Sequence, residues 1–64
     1  MTAPDEIRRD VNWLLDYADN DARVYVYTRP ARDALIAEGR QRGIKGLCHR
    51  WNIGRRAWEF AILP

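Results

Sequence analysis

Two stretches of alternating side chains near the C-terminal end of the chain constrain its fold more than any other feature. Residues 46–51 and 57–63 each alternate along the chain, so that every second side chain would lie on the same face of a strand. Between them, residues 52–55 (Asn-Ile-Gly-Arg) have the composition of a turn. The pattern therefore predicts a β-hairpin closed by a loop that contains Gly54.

Three further elements precede the hairpin. A stripe of apolar residues at helical spacing predicts a first helix from about Pro4 to Ala18: Ile7, Val11, Leu14, Leu15 and Ala18. Residues 23–28 are rich in β-branched and aromatic types and predict a strand. A second helix is expected from Pro30 to about Arg42, with Thr28 or Arg29 as its N-cap and Gly43 as a left-handed C-terminal cap.

The order of these elements predicts a small α+β protein. A strand, helix and strand in succession normally form a right-handed parallel crossover. We therefore expect an α-β-α-β-β order in which a three-stranded mixed sheet packs against two helices. Residues 1–64 should form a single compact domain, because no linker, repeat or low-complexity segment interrupts them.

The size and the residue types argue against an enzyme. A chain of 64 residues buries only about 60% of its unfolded surface, which leaves little room for a substrate cavity. Adjacent strand residues point to opposite faces, so Cys48 and His49 should not form a catalytic dyad. With one Cys and one His in the chain, a zinc site is not expected either. We expect no cofactor or metal, and Cys48 as a small buried apolar group.

The N-terminal segment and the cysteine count indicate a location. No apolar run approaches the roughly 20 residues that a membrane-spanning helix needs, and MTAPDEIRRD has acids where a secretory signal has bases. A single cysteine cannot form an internal disulfide, which fits a reducing compartment. The expectation is a cytoplasmic protein that does not bind membranes.

Charge is distributed unevenly along the chain. Residues 1–21 have six acids and two bases, whereas residues 22–64 have nine bases and three acids. Within the second part, the hairpin combines arginines with aromatic and amide side chains: His49, Arg50, Trp51, Asn52, Arg55 and Arg56, followed by Trp58. Arginine forms bidentate contacts with phosphate or carboxylate, and tryptophan stacks on bases. This segment predicts a site for nucleic acid or for an acidic protein surface.

The second helix supplies further basic residues. Arg29 and Arg32 at its start would widen the basic patch. The alternative interpretation is an ordinary solvated turn, with Trp51 and Trp58 both in the core and the helix arginines on a solvated face. A core this small also makes a homodimer plausible as a hypothesis.

Residues 23–44 resemble the first half of a ribbon-helix-helix repressor. They combine an alternating strand, a proline where the helix begins and Arg42-Gly43-Ile44 where it ends. The resemblance implies a dimeric DNA-binding protein in which Arg23, Tyr25 and Tyr27 face the major groove. It also implies a second helix through Asn52-Ile53-Gly54, where the composition favours a turn instead.

The leading functional hypothesis is therefore a small non-enzymatic binding protein that uses the basic hairpin. In its size and its single-domain organisation, the chain is similar to small phage-encoded inhibitors of bacterial defence systems, including anti-CRISPR proteins. That likeness implies an inhibitor that engages a nucleic-acid-handling protein complex, or nucleic acid itself. The alternative hypothesis is the dimeric DNA-binding repressor.

Overall fold

The protein forms helices and an antiparallel sheet in a computed structural model that describes residues 4–63. Helix α1 spans Asp5–Asp16 and precedes a short 3-10 helix at Ala18–Asn20. Strand β1 (Val24–Val26) leads into helix α2 (Arg29–Gln41). Strands β2 (Leu47–Asn52) and β3 (Ala57–Ile62) follow. The α+β class expected from the sequence is confirmed.

Helix α1 buries a narrower apolar stripe than the sequence predicts. Ile7, Val11 and Leu14 are buried, but Leu15 is 45% exposed. The helix also ends at Asp16 rather than Ala18, because the polar segment that follows turns into a 3-10 helix and Asp21 adopts a left-handed conformation (φ 62°). Short polar side chains compete with helical backbone hydrogen bonds, which accounts for the earlier end.

Helix α2 has the predicted caps at both ends. The Thr28 Oγ1 accepts a hydrogen bond from the Ala31 N–H at 3.2 Å, and Pro30 lies in the first turn. At the other end Gly43 is left-handed (φ 67°), and the Ile44 N–H donates to the Gly39 carbonyl at 3.0 Å. This arrangement satisfies carbonyl groups that a helix C-terminus otherwise leaves without partners.

The sheet is antiparallel throughout, so the predicted mixed sheet is wrong. Its strand order is β1-β3-β2, and β3 pairs antiparallel with both neighbours. The crossover through α2 does leave β1 and β2 pointing in the same direction, but β3 lies between them. The hairpin explains the difference: β3 folds back along β2 and also pairs with β1, which fills the place where a parallel pair would form.

Both helices pack against one face of the sheet. The core joins side chains from α1, α2, β1 and β3, and Phe60 and Leu35 are fully buried within it. Strand alternation directs Trp58, Phe60 and Ile62 to this helix-covered face, together with Leu47, His49 and Trp51 of β2. The opposite face, which we call the outer face, carries Tyr25, Cys48, Arg50, Asn52 and Glu59.

The last part of the chain differs from a ribbon-helix-helix protein. Residues 47–62 pair as two strands where that family has its second helix, and β1 pairs with β3 of its own chain. The second helix that the ribbon-helix-helix resemblance implies is therefore not found in residues 47–62. Neither helix in residues 4–63 has the length and apolar character that crossing a membrane requires.

Candidate binding surface at the hairpin end of the domain

Sheet topology brings the hairpin turn and the start of α2 to the same end of the molecule. Val26 at the end of β1 pairs with Trp58 near the start of β3, and α2 begins directly after β1. The turn at 53–56 immediately precedes β3. This end, which we call the basic end, contains four of the predicted binding residues: Arg29, Arg32, Arg55 and Arg56.

The charges of the basic end are largely uncompensated. Within residues 4–63, Arg29, Arg55 and Arg56 form no ion pair, whereas the Arg32 Nε lies 2.9 Å from the Asp33 Oδ1. The first turn of α2 holds no acidic residue, and a helix N-terminus carries a partial positive charge. Guanidinium groups and helix dipole therefore add to a positive potential at this end.

Asn52 shapes the turn that presents two of these arginines. Its Oδ1 accepts a hydrogen bond from the Arg55 N–H at 3.0 Å, while its Nδ2 donates to the Glu59 Oε1 at 2.9 Å. Arg56 follows in a left-handed conformation (φ 53°). The Asn52 amide is thus already engaged within the chain, so this predicted binding residue acts here as a positioning residue.

Aromatic side chains lie beside the arginines on the helix-covered side. The Arg32 guanidinium sits 4.9 Å from the centre of the Trp58 ring, and Trp51 meets Trp58 edge to face at 4.8 Å. Trp58 is half-buried against the core, whereas Trp51 is 49% exposed. Tyr27, in the connection between β1 and α2, is 65% exposed. The alternative in which both tryptophans belong to the core therefore fits Trp58 and not Trp51.

On the outer face, Arg55 and Tyr25 form a contact that the sequence did not indicate. The Arg55 guanidinium lies 4.2 Å from the centre of the Tyr25 ring, a geometry that favours cation–π attraction. The two residues are far apart in the chain and meet only because β1 pairs with β3. No local pattern around Tyr25 distinguishes this role from simple sheet packing.

Arg50 belongs to a separate ionic cluster at the middle of the outer face. Glu59 is nearly buried, and its Oε2 lies 3.3 Å from the Arg50 Nη2 and 3.4 Å from the Arg23 Nε. The hydrogen bond from Asn52, followed by the charges of Arg50 and Arg23, lowers the pKa of Glu59, although burial opposes the shift. Arg50 is thus partly neutralised, unlike the arginines of the basic end.

His49 and Cys48 lie away from the basic end and on opposite faces of β2, as the alternation predicts. The His49 ring stacks on Phe60 with 5.1 Å between ring centres. Cys48 is exposed, which contradicts the buried position expected for it, because β2 is an edge strand and no helix of residues 4–63 covers the outer face. In the part of the chain that the structure describes, no three metal-binding side chains come together.

Comparisons of the chain with protein-family models, with curated proteins and with solved structures found no match.

Proposed function

We propose that this chain is a small non-enzymatic binding protein whose basic end engages a polyanionic partner. The observation that carries the proposal is the placement of Arg29, Arg32, Arg55 and Arg56 at one end of the domain, three of them without an ion pair in residues 4–63. Arginine is suited to such contacts because its planar group binds phosphate or carboxylate through two hydrogen bonds at once.

The neighbouring aromatic residues extend the chemistry of the site. Trp51, which contacts Trp58, and Tyr27, which lies just before α2, present accessible rings at the basic end. Stacking of a base on such a ring contributes about 1–3 kcal/mol. Ile53, at the tip of the turn, is 82% exposed and offers an apolar contact. The combination suits single-stranded nucleic acid, or an acidic protein site that itself handles nucleic acid.

An inhibitor of a nucleic-acid-handling complex is the role that fits both kinds of partner. Such an inhibitor needs a small folded body and one surface that competes for a charged site, and it needs no catalytic group. The size of the chain favours this role, because a 64-residue domain has little interior from which to form a substrate cavity.

The test compares charge reversals at two places on the molecule. Arg55→Glu combined with Arg56→Glu alters the basic end, while Arg8→Glu combined with Arg9→Glu changes net charge equally on α1, where both side chains are exposed. Retention on heparin reports binding to any polyanion, and fluorescence anisotropy with labelled single- and double-stranded DNA and RNA reports binding to nucleic acid.

The proposal predicts that only the hairpin variant loses binding, by about tenfold or more. The slope of affinity against salt should become shallower by about 1.5 on a double-logarithmic plot, since each lost phosphate contact contributes about 0.7–0.9. Equal losses in both double variants would show that binding follows net charge and not this surface. No retention of the wild-type protein at low salt would refute the proposal.

A further inference from the structure

Strand β2 forms an open edge of the sheet. Among residues 4–63, the order β1-β3-β2 leaves one side of β2 without a neighbouring strand. The hydrogen bond from the Leu63 N–H to the Gly46 carbonyl, 2.9 Å long, identifies these two residues as a hydrogen-bonded pair of the ladder. Because such pairs alternate in antiparallel strands, the backbone groups of Cys48, Arg50 and Asn52 face β3.

The backbone groups of Leu47, His49 and Trp51 consequently face outward. In residues 4–63 these outward N–H and C=O groups have no hydrogen-bond partner in the chain. A strand of this length with free backbone groups is a template for a further strand. Strand β2 also contains no bulge, since each of its six residues is paired with one residue of β3.

A surface depression lies on each side of this edge. On the helix-covered side, a groove of about 210 Å³ lies between α2 and β2, and its walls include Ile36, Ile44, Leu47 and His49. On the outer face, a depression of about 400 Å³ lies beside Cys48 and Arg50. An added strand would direct alternate side chains toward these two places, because strand residues alternate between faces.

The charges around the edge are positive. Arg40 borders the helix-side groove, Arg50 borders the outer depression, and Lys45 is exposed just before β2. Glu38 is buried and paired with Arg42. Glu59 also lines the outer depression and partly neutralises Arg50, but Arg23 and Arg50 together outnumber this one carboxylate there. An acidic strand would therefore meet a positive excess on both faces.

We propose that the β2 edge binds an extended acidic segment of a partner protein, which adds to the sheet as a fourth strand. Apolar side chains of that segment enter the helix-side groove next to His49, and acidic side chains lie beside Arg50. Backbone hydrogen bonds to Leu47, His49 and Trp51 supply affinity, and the two depressions supply selectivity for an alternating apolar and acidic sequence.

A second copy of this chain fits the edge less well. Two β2 strands related by a two-fold axis must bring outward backbone groups face to face. An axis through Arg50 opposes two guanidinium groups, and directly opposed like charges destabilise a strand pair. An axis through His49 avoids that pair, but it still brings together two edges that each carry Arg40, Lys45 and Arg50. Because juxtaposed like charges oppose association, the charge pattern favours an acidic partner.

The experiment measures binding of a labelled peptide of alternating valine and glutamate, of the same length as β2, by fluorescence anisotropy. A valine-lysine peptide of the same length is the charge control. His49→Pro removes the outward N–H at a position where an edge strand tolerates proline, and His49→Ala is the matched control that keeps this N–H. Thermal unfolding establishes that both variants remain folded.

The proposal predicts that His49→Pro binds the acidic peptide about tenfold or more weakly than His49→Ala does, and that the lysine peptide does not bind. It does not rest on the basic end, so the difference between His49→Pro and His49→Ala should persist when Arg55→Glu and Arg56→Glu are also present. Loss of that difference in the Arg55→Glu, Arg56→Glu background, equal binding to His49→Pro and His49→Ala, or no binding of the acidic peptide would each overturn it.

Discussion

Gly46 and Gly43 allow a matched test of how β2 and β3 are joined at the end of the hairpin away from its turn. Both glycines have a left-handed conformation, with φ of 82° at Gly46 and 67° at Gly43. A methyl group added at Gly43 would meet no atom within 4 Å, whereas one added at Gly46 would collide with the backbone carbonyl of Leu63. Alanine therefore imposes backbone strain at both positions but a collision at only one.

The expected costs follow from these environments. An L-residue in the left-handed region costs about 1–2 kcal/mol, which is the whole effect expected for Gly43→Ala. Gly46→Ala adds displacement of Leu63 and loss of the Leu63–Gly46 hydrogen bond, worth about 0.5–1.5 kcal/mol. We expect a total of about 2–4 kcal/mol at Gly46, a large part of the roughly 3–10 kcal/mol available to a domain of this size.

Urea and thermal unfolding, followed by circular dichroism and tryptophan fluorescence, measure the difference. Each kcal/mol should lower the melting temperature by about 4–8 °C in a domain of this size, so Gly46→Ala should melt clearly below Gly43→Ala. Equal destabilisation by the two substitutions would refute the close approach of Leu63 to Gly46. It would also argue against the hydrogen bond between Leu63 and Gly46, from which the outward-facing groups of β2 were identified.

Three further predictions concern the core, a helix cap and pH. Phe60→Ala should destabilise the protein by about 3–5 kcal/mol in urea unfolding, because the ring is fully buried, and Phe60→Leu should cost much less. Thr28→Ala should cost about 1 kcal/mol through loss of the α2 cap, and Thr28→Ser should restore it. The lowered pKa of Glu59 contributes stability that is present above the ordinary glutamate pKa and lost as pH falls through the lowered value. Glu59→Gln should therefore reduce the acid-induced loss of stability. If the urea midpoints of the wild type and of Glu59→Gln fell by the same amount between neutral and acidic pH, this role would be contradicted.

The elements of the fold could be predicted because their signals are local. Alternation in 46–51 and 57–63, the Thr28 and Pro30 start of α2 and the Gly43 end each depend on a few neighbouring residues. The strand order could not be predicted in the same way, since the pairing of β3 with β1 joins segments more than 30 residues apart. The central position of β3 in the sheet is reflected in its burial: Ala57 and Ala61 on the outer face are buried, as is Phe60 on the helix-covered face.

The candidate site could be predicted only in part, because some of its residues come together through pairing between distant segments. Arg55 and Arg56 lie close together in sequence, but their placement at the same end of the domain as Arg29 and Arg32 depends on the sheet order. The contact between Arg55 and Tyr25 depends on it too. Exposure of Cys48 was missed because a sequence pattern shows which residues share a face and does not show which face the helices cover.

The most direct test of the basic end is a map of where a polyanion binds. Amide chemical shifts of the isotopically labelled protein, followed during titration with a heparin oligosaccharide at low salt, report on every part of the backbone. The account predicts that the largest changes occur at residues 53–56 and at the first turn of α2, and that added salt reverses them. Changes centred on α1, or no change at all, would contradict it.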